Sequence, residues 1–226
     1  MILVKPSIEF MWMTENPLQT IEKAGRTCYK SEDKITNNSA EIFVKNLLKR
    51  GHEAMIEHAS MSYKVICDRG VSHEIVRHRL FSFAQESTRY CNYKNSVTFI
   101  IPNWLGKIKK GAYCYEEHPE LGETVETLQD AWFYSMQYAE TCYKHLIQAG
   151  WSPQQARSVL PNSLKTEIII TGNMREWRHF FKLRTAKEAH LQMKEVADMI
   201  LQDAIKRVPV LFDDYYFHKT EKREMP

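Results

Sequence analysis

The chain has 226 residues, 43% of them hydrophobic and 26% charged, and a formal net charge of +3. That balance is typical of a folded globular protein and excludes a disordered chain, a collagen-like repeat and a disulfide miniprotein. No apolar run approaches the roughly 20 residues that span a bilayer, no secretory signal is expected in the first ten residues, and so mild a charge leaves room for a local anion site but does not point to nucleic acid.

In chain order, Ile2 to Val4 reads as a short strand. Asn16-Pro17 reads as an N-cap with proline at the first helical position, followed by Leu18, Ile21, Ala24 and Cys28 at helical spacing. Ser39 is expected to cap a second helix with Ile42, Phe43, Leu47 and Leu48 on one face, ended by Gly51. Met61 to Cys67 alternates like a strand and should finish in a turn at Asp68-Arg69-Gly70. Ser72 is expected to cap a helix carrying Ile75 and Val76. Val97 to Ile101 and Thr166 to Thr171 are β-branched runs of strand type. The longest predicted helix covers Thr124 to Ala149, its apolar stripe formed by Val125, Leu128, Trp132, Ala139, Cys142, Leu146 and Ile147, and Gly150 stops it. Ser152-Pro153-Gln154-Gln155 forms a capping box, and Pro161 must end what it starts. A last helix is predicted from Lys187 to Arg207, with Met193, Val196, Ala197, Ile200, Leu201 and Ala204 inward. Lys219 to Pro226 reads as a polar tail. The pattern is α+β, without a regular βαβ alternation and with neither a G-x-G-x-x-G turn nor a P-loop.

Five scattered cysteines (Cys28, Cys67, Cys91, Cys114 and Cys142) form no C-x-x-C pair. Free thiols in a reducing cytoplasm are expected, and a cysteine-based zinc site is not. Three polar clusters remain. Arg77-His78-Arg79 with Ser82, Gln85, Ser87 and Arg89 could be a solvated basic helix end. Its functional reading requires an anion, because arginine forks grip phosphate, and Arg77, Ser87 and Arg89 could share one. Gly51-His52-Glu53 with Glu57-His58 does not match metal-ligand spacing, so no metal is expected there. Arg157, Asn173, Arg175, His179 and Arg184 would suit a planar anionic ligand. In this cluster Asn173 closes a strand and caps the next helix, and Trp177, Phe180, Phe181 and Leu183 belong to the core. Tyr90 and Tyr93 beside the first cluster could stack on bases; the small net charge speaks against that rival reading.

Arg77-His78-Arg79 followed seven residues later by Ser87 resembles the R-H-R-x7-S motif of flavin-dependent thymidylate synthases. Ala24 to Tyr29, Gly51-His52-Glu53 with Glu57-His58-Ala59-Ser60, Ala156 to Pro161, and Asn173 through Arg184 resemble that family's other blocks, in the family's order. The resemblance implies a single α+β domain over residues 1–218 with a small, mainly antiparallel sheet, and a homotetramer with active sites at subunit interfaces. It implies reductive methylation of dUMP to dTMP without an enzyme nucleophile. Methylenetetrahydrofolate would be the carbon donor and NADPH-reduced FAD the reductant, with neither nucleic acid nor membrane as partner. By the same resemblance Arg77, His78, Arg79, Gln85, Asn173, Arg175 and His179 hold FAD, with Ala54 and Glu57 lining it. Glu74, Arg77, Gln85, Glu86, Ser87, Thr88, Arg89, Arg157 and Arg184 face dUMP, and Arg184 and His52 are the catalytic pair. Glu74, Cys28 and His179 depart from the commonest family pattern.

Overall fold

The computed structural model describes residues 1–106, 108–113 and 127–221, with side chains as far as Tyr215. Among the described residues, seven strands lie in two small sheets. They are β1 (Ile2–Val4), β2 (Ser7–Met13), β3 (Ser60–Asp68), β4 (Ser82–Gln85), β5 (Thr98–Ile100), β6 (Gly111–Ala112) and β7 (Lys165–Asn173). One sheet has the order β5-β1-β6 and the other β2-β3-β7-β4. β1 is parallel to β5, with Ile2 opposite Thr98, and antiparallel to β6. The single, mainly antiparallel sheet that was expected is therefore two sheets, the first of them mixed. A parallel pair cannot be closed by a tight turn, so the chain between β1 and β5 builds other structure first. The helices are α1 (Pro17–Tyr29), α2 (Ser39–Lys49), α3 (Arg69–Ile75), α4 (Leu128–Gln148), α5 (Pro153–Ala156), α6 (Met174–Arg184), α7 (Leu191–Arg207) and α8 (Pro209–Glu221).

Contacts divide the chain into two compact units, and β3, β4 and β7 contribute residues to both. The first comprises Met1–Ser7, Val65–Ile75 and Ala84–Ile168. Its core sets Leu3, Val97, Phe99 and Ile101 with Phe133, Met136 and Tyr143 of α4. The second comprises Ile8–Lys64, Val76–Phe83 and Ile169–Pro226. Its core is aromatic: Trp177 of α6 lies 4.6 Å from Phe81 and 5.5 Å from Tyr63, and Phe181 lies 5.4 Å from Phe212. Aromatic pairs at these separations gain about 0.5–1.5 kcal/mol beyond the area they bury.

The helices fall where periodicity placed them, but several faces and ends differ. Asn16 has a left-handed backbone and makes no side-chain cap. Ser39 is the first residue of α2 rather than its cap, and its hydroxyl donates to Glu22 Oε2 at 2.8 Å. Glu22 is buried and also held by Arg26, so a charged residue replaces Leu18 and Cys28 on the inner face of α1. α2 buries Ala40, Val44 and Leu47 and leaves Ile42 exposed. α4 buries Phe133, Met136, Ala139 and Tyr143 and exposes Leu128, a rotation of about one residue from the expected stripe. The expected start of that helix at Thr124 and Val125 lies outside the described residues. No turn follows β3: α3 begins at Arg69, because Asp68 Oδ1 accepts from Val71 N at 2.7 Å and caps it. Ser72 lies inside α3 and donates to Arg69 O. α8 was not expected: it opens on Pro209, the favoured first position of a helix, and runs to Glu221, through the first residues of the expected polar tail.

Candidate functional site

After α3 the chain turns through Arg77-His78-Arg79. Phe81 N donates to His78 O at 3.1 Å, and the Phe81 ring lies so close to Gly172 of β7 that a Cβ there would sit 2.1 Å from it. A residue without a side chain is needed for this approach, and with it the R-H-R turn is fastened beside the start of α6. Asn173 starts α6 as expected, its side chain accepting from Glu176 N at 2.9 Å.

His78 is buried between two charged groups. Its Nδ1 lies 3.3 Å from Glu176 Oε1, and Arg184 Nε donates to its Nε2 at 2.9 Å. A guanidinium N–H only donates, so Nε2 must be the acceptor and Nδ1 carries the proton that Glu176 accepts. Burial, with the Arg184 guanidinium and neighbouring His179, lowers the His78 pKa to about 4, which keeps the ring neutral at physiological pH. Burial pushes the Glu176 carboxyl up, opposed by His179. His78, Glu176 and His179 also bring three donor atoms within 4.8 Å of one another. Both His78 nitrogens are engaged, however, one of them by a cation that would repel a metal ion.

This group lines a cavity of ≈720 Å³, within the range of about 300–1,000 Å³ usual for small-molecule sites. Arg77, Arg79, Arg175, Arg178, Lys182 and Arg184 surround it, with Glu53, Glu57 and Glu176 as its carboxyls. Arg175 is half exposed and paired with Glu57 at 2.6 Å. Arg178 is buried and spans to α8: it donates to Leu211 O and to Asp214 Oδ1, the latter at 3.0 Å, and stacks 5.0 Å from the Tyr215 ring. Tyr215 returns a bond to Arg178 O at 2.8 Å, and burial raises its hydroxyl to about 12, the Arg178 charge opposing. Among the described residues, buried Arg178 Nε has no hydrogen-bond acceptor; Glu53 Oε1 stands 3.7 Å away. The ring of basic side chains around this cavity fits an anionic ligand.

A second cavity of ≈350 Å³ shares Glu53 and Arg175 and is otherwise lined by Cys28, His52, Ala54 and Met55, among others. Gly51, at φ +69°, turns the chain out of α2 into the 3₁₀ segment Glu53–His58 that carries residues of both cavities. His58 lines neither of them.

The remaining polar residues belong to the first unit and are paired locally. Gln85 donates to Ser72 Oγ at 2.9 Å and to Thr166 Oγ1 at 3.2 Å. Arg157 Nη1 donates to Thr88 Oγ1 at 3.1 Å, and Arg89 Nε to Gln154 Oε1 at 2.9 Å. Glu86 accepts from Lys165 and from the Tyr93 hydroxyl, so Tyr93 is not presented as a stacking platform. Glu74 is half-buried on α3. Arg77 thus lies in one unit and Ser87 and Arg89 in the other.

Residues 9–210 match the family model described as thymidylate synthase complementing protein. A flavin-dependent thymidylate synthase of Pyrococcus furiosus is 34% identical over 86% of this chain and 77% of its own length. One from Mycobacterium sp. (strain JLS) is 30% identical over 94% of this chain and 85% of its own length. The chain belongs to the flavin-dependent thymidylate synthase family. Its fold is similar to that of the UMP/dUMP methylase PolB from Streptomyces cacaoi, solved with 5-Br dUMP, at a TM-score of 0.77 and 23% identity over 96% of this chain and 97% of that one.

In this flavin-dependent thymidylate synthase family member, the structure brings together Glu57, Arg77, His78, Arg79, Asn173, Arg175, His179 and Arg184 around the larger cavity. His52 and Ala54 go to the smaller one, and Gln85 to neither. Glu53, Glu176, Arg178, Lys182 and Tyr215 also line the larger cavity and were not expected. Glu176 had a sequence signal, because Asn173 with Glu three residues on is a capping-box spacing. The side chain turns instead to His78. Leu183 was read as core but is exposed at the cavity edge. Arg178 and Tyr215 had no signal, since their meeting depends on how α8 packs on α6. Cys28, Cys67, Cys91 and Cys142 are free thiols, as expected; Cys114 lies outside the described residues. Among the described residues no helix is long and apolar enough to cross a membrane.

Proposed function

We propose that the protein methylates dUMP reductively to dTMP. Methylenetetrahydrofolate supplies the carbon and leaves as tetrahydrofolate, and NADPH supplies the hydride and leaves as NADP⁺. A bound FAD supplies the redox chemistry between NADPH and the incipient methyl group. The observation that carries this reading is the basic cavity, in a chain of this family.

Arg77, Arg79, Arg175 and Lys182 would hold the anionic parts of FAD, with Asn173 and His179 beside them and Glu57 setting the orientation of Arg175. His52 and Ala54 would border the flavin from the smaller cavity. Gln85, Ser87, Thr88, Arg89 and Arg157 would hold the nucleotide's phosphate and sugar, and Arg184 the uracil. A guanidinium against the ring stabilises negative charge as its carbon becomes nucleophilic, so no enzyme nucleophile is needed. The protein would work as a homotetramer in the cytoplasm.

The first test is the visible spectrum of the purified protein, with the chromophore released and identified. Release of FAD, followed by mass-spectrometric detection of dTMP from dUMP, methylenetetrahydrofolate and NADPH, is the expected result. A colourless protein that takes up no added FAD overturns it. UMP assayed in parallel reports whether the sugar is discriminated.

A further inference from the structure

Arg184 is held by a chain of three side chains whose direction is fixed at one end. Its Nε–H can only donate, so His78 Nε2 must offer a lone pair, and the ring proton must sit on Nδ1. That is the less favoured tautomer of a neutral imidazole in water. Here Glu176 Oε1, facing Nδ1 at 3.3 Å, is the group that rewards it. The backbone that carries Glu176 is fixed at the start of α6, where Asn173 caps its N–H at 2.9 Å. The ring is walled by Phe180 at 5.1 Å and Phe81 at 6.1 Å, and His179 stands 5.7 Å away. Glu176 and Arg184 occupy opposite ends of α6, about two turns apart, so only a bridge from outside the helix can couple them. His78, from the R-H-R turn, is that bridge.

We propose that Glu176 is a positioning residue that holds His78 in the Nδ1–H tautomer, so that His78 orients the Arg184 guanidinium. The inference rests on the role proposed above for Arg184. Removing the acceptor at position 176 lets the ring proton move to Nε2, where it meets the Arg184 N–H. Two donors then face each other and Arg184 leaves its place. A merely structural Glu176 would change stability but not the tautomer.

The test uses the full chain as purified, with nitrogen-15 histidine, read by solid-state NMR at neutral pH. The His78 signal is identified by its loss in His78→Gln. The expected result is protonated Nδ1 and unprotonated Nε2 in the wild type, and the reverse in Glu176→Leu. In Glu176→Leu, kcat for dTMP should fall by about tenfold or more while flavin content stays within about twofold. Glu176→Gln keeps an acceptor oxygen and should retain both the tautomer and kcat within about threefold. An Nε2–H tautomer in the wild type overturns the inference, as does a Glu176→Leu protein whose tautomer switches while kcat is unchanged. A wild type with the Nδ1–H tautomer that makes no dTMP breaks the proposed function and with it the catalytic purpose of the chain, while the hydrogen-bond chain itself stands.

Discussion

The basic residues of the two units look alike in sequence and differ in what surrounds them. In the first unit Arg89 meets Gln154, Arg157 meets Thr88, and Lys165 meets Glu86 and Glu167. In the second unit six basic side chains converge on one cavity against three carboxyls, and among the described residues a buried guanidinium N–H has no hydrogen-bond acceptor. Locally matched, partly exposed pairs contribute little to stability and can exchange a protein partner for a ligand at small cost. A ring of unbalanced charge around a cavity selects an anion before one arrives. The two regions should therefore respond differently to substitution.

The largest effect is expected at Arg184. Arg184→Ala should lower kcat for dTMP by about 10²–10³-fold, the usual cost of removing a group that stabilises developing charge, with Tm nearly unchanged. Turnover near the wild-type rate would remove the role proposed for this residue. Arg178→Ala should act on both fold and ligand. Cutting the link between α6 and α8 leaves Asp214 half exposed, so a loss of about 2–3 kcal/mol is expected, a Tm drop of roughly 5–10 °C, together with loss of bound flavin. Retained flavin at an unchanged Tm would show that the orphaned Nε serves no ligand.

Arg89→Ala is the counterpart in the first unit. It should weaken dUMP binding by about tenfold and shift stability by no more than about 0.5 kcal/mol, measured as the dUMP Kd and by thermal denaturation. An unchanged Kd would dissolve the contrast between the two regions.

The smallest effect is a pH dependence. His78 titrates near 4 in the fold against an ordinary 6.5. The unfolded chain therefore binds more protons between these values, and stability falls as pH falls through that window. The raised Glu176 carboxyl works in the opposite sense, since the fold keeps its proton to higher pH. His78→Gln should reduce the drop in Tm between pH 6.5 and pH 4; a drop equal to that of the wild type would show that His78 is not the group responsible.

The sequence determined the elements whose cause is local. The cap at Asn173, the inward face of α7 and the strand preceding α6 follow from neighbours a few residues away. The ordered blocks marked the family to which the family model and the relatives assign the chain. What it did not determine depends on contacts distant in sequence. Glu22 is buried on α1 because Ser39 and Arg26 both bind it. Asp68 converts an expected turn into a helix start. The partners of His78 lie 98 and 106 residues away along the chain, and nothing local announces them. Only the tertiary structure decided which basic residues share a cavity and which are paired off. Charge type is written in the sequence, whereas the distance between two charges, and the water excluded from between them, exist only once the chain has packed.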